Sequence, residues 1–177
     1  MRRWLDRLYN FSGALAALSL AGIGIIMLAQ AVGRELGILV RGADDIAAWL
    51  CGATAFLGLA HTFRHGELVR VALWVGMLKG RARWGAEVFA LTVTTVFVGY
   101  AALAVSRFVF QSWEMNEINQ GLLQIPVWIP QATLVIGLCI FLIAVIDEFV
   151  VVLRGKKPAY QRAEEDRIAR RDFTEVV

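Results

Sequence analysis

The sequence predicts an all-α integral membrane protein with four transmembrane helices, and three observations predict it. Apolar stretches run over about residues 11–33, 46–63, 86–110 and 125–153, with almost no charge inside them. A helix needs about 20 apolar residues to cross the hydrocarbon core; three stretches reach that length and the second nearly does. Hydrophobic residues make up 58% of the 177 positions, a share that excludes a soluble globular domain. The charged residues, finally, gather beside the stretches rather than within them. Lipid offers no water to unpaired backbone groups, so each stretch must be a helix. Short connections leave no room for a second folded domain. The expected division is a transmembrane domain over 1–154 and a charged cytoplasmic tail over 155–177.

Arg2, Arg3 and Arg7 precede the first span. Together with the apolar run and Ala29-Gln30-Ala31 they look like a cleavable signal peptide, but the run is long for such a segment. Gly13, Ala17 and Ala21 recur four apart, as do Ala47, Cys51 and Ala55 in the second span. Small residues at that interval let helix backbones approach closely in lipid. Between these spans, Arg34 closes the first helix, and Asp44 and Asp45 open the second. Either acid can cap the free N–H groups and complement the positive helix end, and Arg34 can pair with them.

The second loop contains Leu68 to Leu78, eleven mostly apolar residues flanked by basic ones. That is too short to span and fits a helix lying along the interface. The third span carries Arg107 near its outer end. In the fourth, Pro126 opens the helix, where its missing N–H costs nothing, and Pro130 bends it one turn further in. Asp147 and Glu148 lie near the inner end, where they can pair with basic residues of the second loop. Trp4, Trp74, Trp84 and Trp113 fall at predicted boundaries and read as interfacial anchors. Trp128 also sits at a boundary, and Trp49 slightly inside one.

Orientation follows from the basic residues. Of the 18 lysines and arginines, only Arg34, Arg41 and Arg107 fall on one side; the rest belong to the N-terminus, the second loop and the tail. Both termini are therefore expected in the cytoplasm. The net charge of +3 reflects these flanking residues and their contact with anionic lipid, not nucleic acid.

Little in the spans can do chemistry. The first three have no ionisable residue near their middles, and no span is interrupted by paired Pro or Gly. A coupled carrier needs one or the other near the midplane. His61 and His65, the only histidines, share one helix face, so a bis-histidine haem site spread over two helices is not available. They read as interfacial residues. Cys51 and Cys139 differ in depth by roughly 13 Å at the helical rise, which excludes a disulfide, and they read as buried packing thiols. No phosphate loop, zinc spacing or nucleophile elbow is present. Nothing points to an enzyme, a metal or a cofactor.

The turn motifs carry a resemblance. From about Trp4 to Leu153 the chain resembles the small (Q-type, DctQ-like) membrane subunit of tripartite ATP-independent periplasmic (TRAP) transporters. The features that match are the Arg closing helix one, the acidic pair opening helix two, the turn Arg64-His65-Gly66-Glu67, and Ile125-Pro126-Val127-Trp128 opening helix four. Departures are Leu68 and Ala72, where the family often has His and Asp, and Gln131 and Val135, where Tyr and Pro are usual.

The resemblance implies a multi-pass protein of the bacterial inner membrane working with two partners. One is a large multi-span subunit that holds substrate and sodium and moves as an elevator. The other is a periplasmic binding protein that delivers a small organic anion such as a carboxylate. The small subunit would extend the fixed scaffold. Arg34, Asp44, Asp45, Trp49, Arg107, Pro126 and Trp128 are then the candidate interface residues, with helices one and two against the large subunit. Two other readings compete: the membrane anchor of a respiratory oxidoreductase, which the histidine supply disfavours, and a standalone multidrug carrier, which the missing mid-span acid disfavours.

Overall fold

The computed structural model describes residues 2–38, 41–65 and 81–154. Among these it has four helices: α1 (Arg2–Glu35), α2 (Ala43–His65), α3 (Arg81–Glu114) and α4 (Trp128–Leu153). All four are long and apolar enough to cross a membrane. The interfacial helix expected within the second loop, Trp74, and the charged tail lie outside the described residues.

At 1.5 Å per residue, the 34 residues of α1 and of α3 reach about 51 Å, well beyond the roughly 30 Å hydrocarbon core. Their ends therefore stand outside it or the helices tilt. The chain reverses at two kinds of end. One, the turn end, carries residues 36–38, 41 and 42 and the 115–127 segment. The other, the terminal end, carries Asp6, Arg64, Glu87 and Asp147.

Local sequence stops the helices at the turn end. Gly37 adopts φ +71° while Ile38 N–H bonds the Gly33 carbonyl at 2.7 Å and Gly37 N–H that of Arg34 at 3.2 Å. These two bonds, with a left-handed residue between them, satisfy carbonyls that the end of α1 leaves free. The end of α3 repeats the device with Asn116 (φ 49°), the Glu117 N–H reaching Ser112 at 3.1 Å. Asparagine is one of the few non-glycine residues that tolerates this region.

Side by side, the helices run in the order α1, α2, α4, α3, with a smaller contact between α1 and α4. α4 is the most enclosed and α1 the least. One core joins all four: Tyr9 of α1, Ala60 of α2, Val98 and Ala102 of α3, and Leu138, Phe141, Ala144 and Val145 of α4. A second, smaller cluster of Ala16, Ala53 and Leu57 continues the α1–α2 seam. In that seam Ser12 is fully buried and donates to the Leu57 carbonyl at 2.5 Å. Thr54 donates to the carbonyl of Leu50, one turn back, at 2.8 Å.

The small-residue stripes do not coincide with this seam. Ala17, Ala21, Cys51 and Ala55 are exposed, whereas Tyr9, Ser12, Ala16, Ala53, Leu57 and Ala60 are buried. Ala47 alone of the second stripe is buried, and Gly13 lies against the His61 ring. A helix made for lipid is apolar on every face, so spacing of small residues fixes no phase. The seam follows instead from Tyr9 and the bonding of Ser12.

Three further expectations are corrected here. His61 packs in the α1–α2 contact, not out at an interface. Cys51 and Cys139 are free thiols on outward faces, not buried packing groups. And Pro130 does not bend α4, because the helix begins at Trp128. That start places Pro130 in the first turn, among residues whose N–H groups have no intrahelical partner in any case.

Candidate functional site

Two polar constructions brace the helices, one at each end. At the turn end, Gly42 adopts φ +78° and its carbonyl receives the Ile46 N–H at 3.2 Å, starting α2. Asp44 and Asp45 then fall in the first turn, where negative charge complements the helix end. Their side chains reach elsewhere. Asp44 accepts from the Gln30 amide of α1 at 3.1 Å, and Asp45 accepts from the backbone N–H of Leu123 at 3.3 Å. Among the described residues no ion pair links Arg34 to either acid. The expected Arg34 pairing is thus replaced by Gln30, one turn earlier on α1.

The 117–127 segment meets this turn as a narrow loop. Asn119 N–H bonds the Ile125 carbonyl and Val127 N–H the Glu117 carbonyl, both at 3.0 Å. Ile118 and Pro126 form an antiparallel bridge between them. Ser112, buried at the end of α3, donates to the Glu117 carboxylate at 2.8 Å. Leu123 seats directly on Gly42, where an added Cβ would stand 2.5 Å from its side chain, and Asp45 seats on Gly121 in the same way. The two connections are therefore interlocked through glycines. Replacing Asp45 by alanine leaves the Leu123 N–H without its acceptor. The expected cost is about 1 kcal/mol, local to this cap. Faster amide exchange over 117–127 in Asp45→Ala, with α4 unchanged, is the measurement; Asp45→Asn, which keeps an acceptor, should change it less.

At the terminal end, the Arg64 guanidinium at the close of α2 pairs with Asp6 of α1 and, at 3.5 Å, with Asp147 of α4. It also lies over the Tyr9 ring, 5.1 Å from the centroid. One cation thereby ties three helices. Asp147 pairs with a basic residue near the second loop, as its position suggested, although Arg64 belongs to the last turn of α2. Glu87 of α3 and Glu148 of α4 are buried at the same end. Trp84 donates from its indole to the Val152 carbonyl at 3.3 Å, so it fastens α3 to the last turn of α4 while remaining half-exposed.

The candidate interface residues do not form one cluster. Arg34, Asp44, Asp45, Pro126 and Trp128 all stand at the turn end, with Trp49 one turn inside it. Arg107 is exposed on α3, about 10 Å below Glu114 at the helical rise. Trp113 at the turn end and Trp4 at the terminal end are largely exposed. Motif spacing did not reveal Gly42, Gly121 and Leu123 as an interlock, nor Asp6 and Tyr9 as partners of Arg64. Their only signal is polarity or glycine near a helix end, which many residues share.

Among the described residues no set of His, Cys, Asp or Glu is placed to hold a metal ion. All four helices are continuous, and none has an ionisable residue at its middle. Fold and polar sites together define a multi-pass membrane component whose polar groups tie helices to one another. The sequence model for tripartite ATP-independent periplasmic transporters, DctQ component, matches residues 23–155, and the chain belongs to that family. It is the small membrane component of a TRAP transporter and not an enzyme. No curated protein and no solved structure matches the chain.

Proposed function

We propose that this chain is the static scaffold subunit of a sodium-driven TRAP importer in a bacterial inner membrane. It supports a large elevator subunit and does not itself carry substrate, a small organic anion brought by a periplasmic binding protein. The observation that carries this reading is the uninterrupted, uncharged middle of all four helices. Transport through a helix bundle needs ionisable groups or unwound backbone at the midplane. A chain without them serves better as a frame than as a path.

In this reading both termini are cytoplasmic and the turn end faces the periplasm. The interlocked cap then presents Asp44, Glu114 and Glu117 on a braced surface where the binding protein docks. Arg34, Trp49, Pro126 and Trp128 flank that surface, and the outward faces of α1 and α2 meet the large subunit. Trp4, Trp84 and Trp113 hold the frame at the two membrane surfaces.

The test is purification of the tagged full chain from native membranes in mild detergent, followed by uptake with the co-purified large subunit in vesicles. We expect a polytopic subunit in about equal amount and uptake that requires an inward sodium gradient. With Asp44→Lys and Asp45→Lys together, assembly should persist while uptake at limiting binding protein falls. Unchanged uptake would remove the cap from the docking surface. Uptake by the large subunit at full rate without this chain would end the scaffold reading.

A further inference from the structure

α3 closes the row of helices on the side away from α1, and one of its faces is turned from the core. Leu91, Val98 and Ala102 are buried, whereas Phe89, Val96, Tyr100 and Leu103, on the opposite side of the helix, are exposed. Most of that face is apolar and suits lipid; Tyr100 does not. Trp84 and Trp113 lie about 43 Å apart along α3 at the helical rise, close to the thickness of a bilayer with its headgroups. Tyr100 then stands within about 3 Å of the midplane, with 73% of its surface exposed. Its hydroxyl is an uncharged donor with no hydrogen-bond partner among the described residues. Tyrosine hydroxyls taken out of water usually find a partner, and lipid offers none.

Arg107 lies two turns further along the same face, about 10 Å from Tyr100. Its backbone is then about 13 Å from the midplane, inside the roughly 15 Å half-thickness of the hydrocarbon. A helical side chain leaves the backbone tilted toward the helix N-terminus. The Arg107 stem therefore sets off toward Tyr100 and away from Glu114 and the surface. Arg107 is exposed and makes no ion pair among the described residues. An arginine within a span is costly, and such residues almost always face the bundle interior, where they pair. This one faces outward, so its counter-charge must come from outside the chain. Ala104, small and exposed, stands between the two donors and leaves a notch for an incoming side chain. A second copy does not supply the charge. Set against this face about a twofold along the membrane normal, it brings Arg107 to Arg107, and the acids toward the turn end, Glu35, Asp44, Asp45 and Glu114, lie in end turns. We propose that the outward face of α3 docks a membrane-spanning helix of a different chain, one with an aspartate or glutamate at the level of Ala104. Its carboxylate accepts from Arg107, and an acceptor deeper on the same helix meets the Tyr100 hydroxyl. The contact is separate from that proposed for α1 and α2 and does not depend on the scaffold reading.

The test places a photo-crosslinking phenylalanine analogue at position 104 of the tagged full chain, illuminates native membranes, and sequences the adduct by mass spectrometry. We expect an apolar segment of another membrane protein with an aspartate or glutamate inside it. In that background Arg107→Glu should lower the adduct about fivefold, equivalent to about 1 kcal/mol of interhelical bonding, and Arg107→Lys should keep part of it. Tyr100→Phe, which removes only the hydroxyl, should lower it less than Arg107→Glu does. Changing the partner's acid to arginine should restore the adduct to Arg107→Glu, which a fold defect in the variant could not explain. An adduct with lipid alone, with a second copy of this chain, or with a segment lacking an acid would overturn the proposal. So would an undiminished adduct in Arg107→Glu, or no recovery when the charges are exchanged.

Discussion

Replacing Gly137 by leucine is expected to separate α2 from α4 and to cost the chain its fold. Gly137 is buried on α4, and a Cβ there would lie 2.6 Å from the Phe56 carbonyl and 2.9 Å from the Leu57 nitrogen. These are backbone atoms inside α2, held by the helix's own hydrogen bonds, so no side-chain rotation can make room. Overpacking where neighbours can adjust already costs about 1–3 kcal/mol. Here a whole helix must move, and it is the helix that joins α1 to the rest of the row. We expect a loss of about 3 kcal/mol or more, read as a fall in thermal midpoint in detergent or a failure to accumulate in membranes. Even Gly137→Ala should be clearly destabilised. Gly24→Leu is the control: nothing lies within 4 Å of its added Cβ, and it should stay within about 0.5 kcal/mol of wild type. Equal stability of Gly137→Leu and wild type would mean that α2 and α4 do not cross as described.

Removal of Arg64 is the second large effect. Methionine at this position keeps much of the stem and deletes the charge, leaving Asp6 and Asp147 to face each other without a cation. Removing one partner of a buried ion pair costs about 3–5 kcal/mol. Solvent reaches this cluster, with the Arg64 side chain 22% and that of Asp6 44% exposed, so screening lowers the expectation to about 2 kcal/mol. The pattern across variants is the sharper check. Lysine should recover only part, because an ammonium cannot span two carboxylates and the Tyr9 ring as the planar guanidinium does. Asp6→Asn with Asp147→Asn should restore stability to Arg64→Met, since neutral amides need no cation. If the triple variant were no more stable than Arg64→Met alone, the network would matter for packing and not for charge.

These two effects differ in how far the sequence could have indicated them. Asp147 with a basic partner near the second loop was legible, because an ionisable residue close to a helix end in lipid must find a counter-charge. That the partner is Arg64, shared with Asp6 and stacked on Tyr9, was not, because α1, α2 and α4 come together only in three dimensions. Gly137 lies in the fourth apolar stretch, yet nothing in its sequence neighbourhood distinguishes it from Gly24. Both are glycines in apolar helices; one faces a backbone and the other faces open space.

The cap at the turn end shows the same division. Two acids after Gly42 predict the start of α2, and the start is there, because charge at a helix N-terminus acts locally. The wider role of Asp45 depends on a loop 78 residues further along the chain. Gly121 and Leu123 carry no local mark of it. The small-residue stripes do not mark the α1–α2 seam for a related reason: every face of a lipid-embedded helix is apolar, so the sequence holds no amphipathic signal to set its rotation.

By itself, then, the sequence determined that four helices form, about where each ends, that their middles hold no ionisable group, and which family's order of turn motifs they follow. Each of these is a local consequence of apolar length, of capping chemistry, or of the cost of charge in lipid. Only the tertiary structure decided that the helices lie in the order α1, α2, α4, α3, which face of each is inward, that Arg64 ties three of them, and that Tyr100 and Arg107 face away from the core. In lipid the hydrophobic effect does not choose between faces, so helix order and rotation rest on close packing and a few hydrogen bonds between residues far apart in the chain.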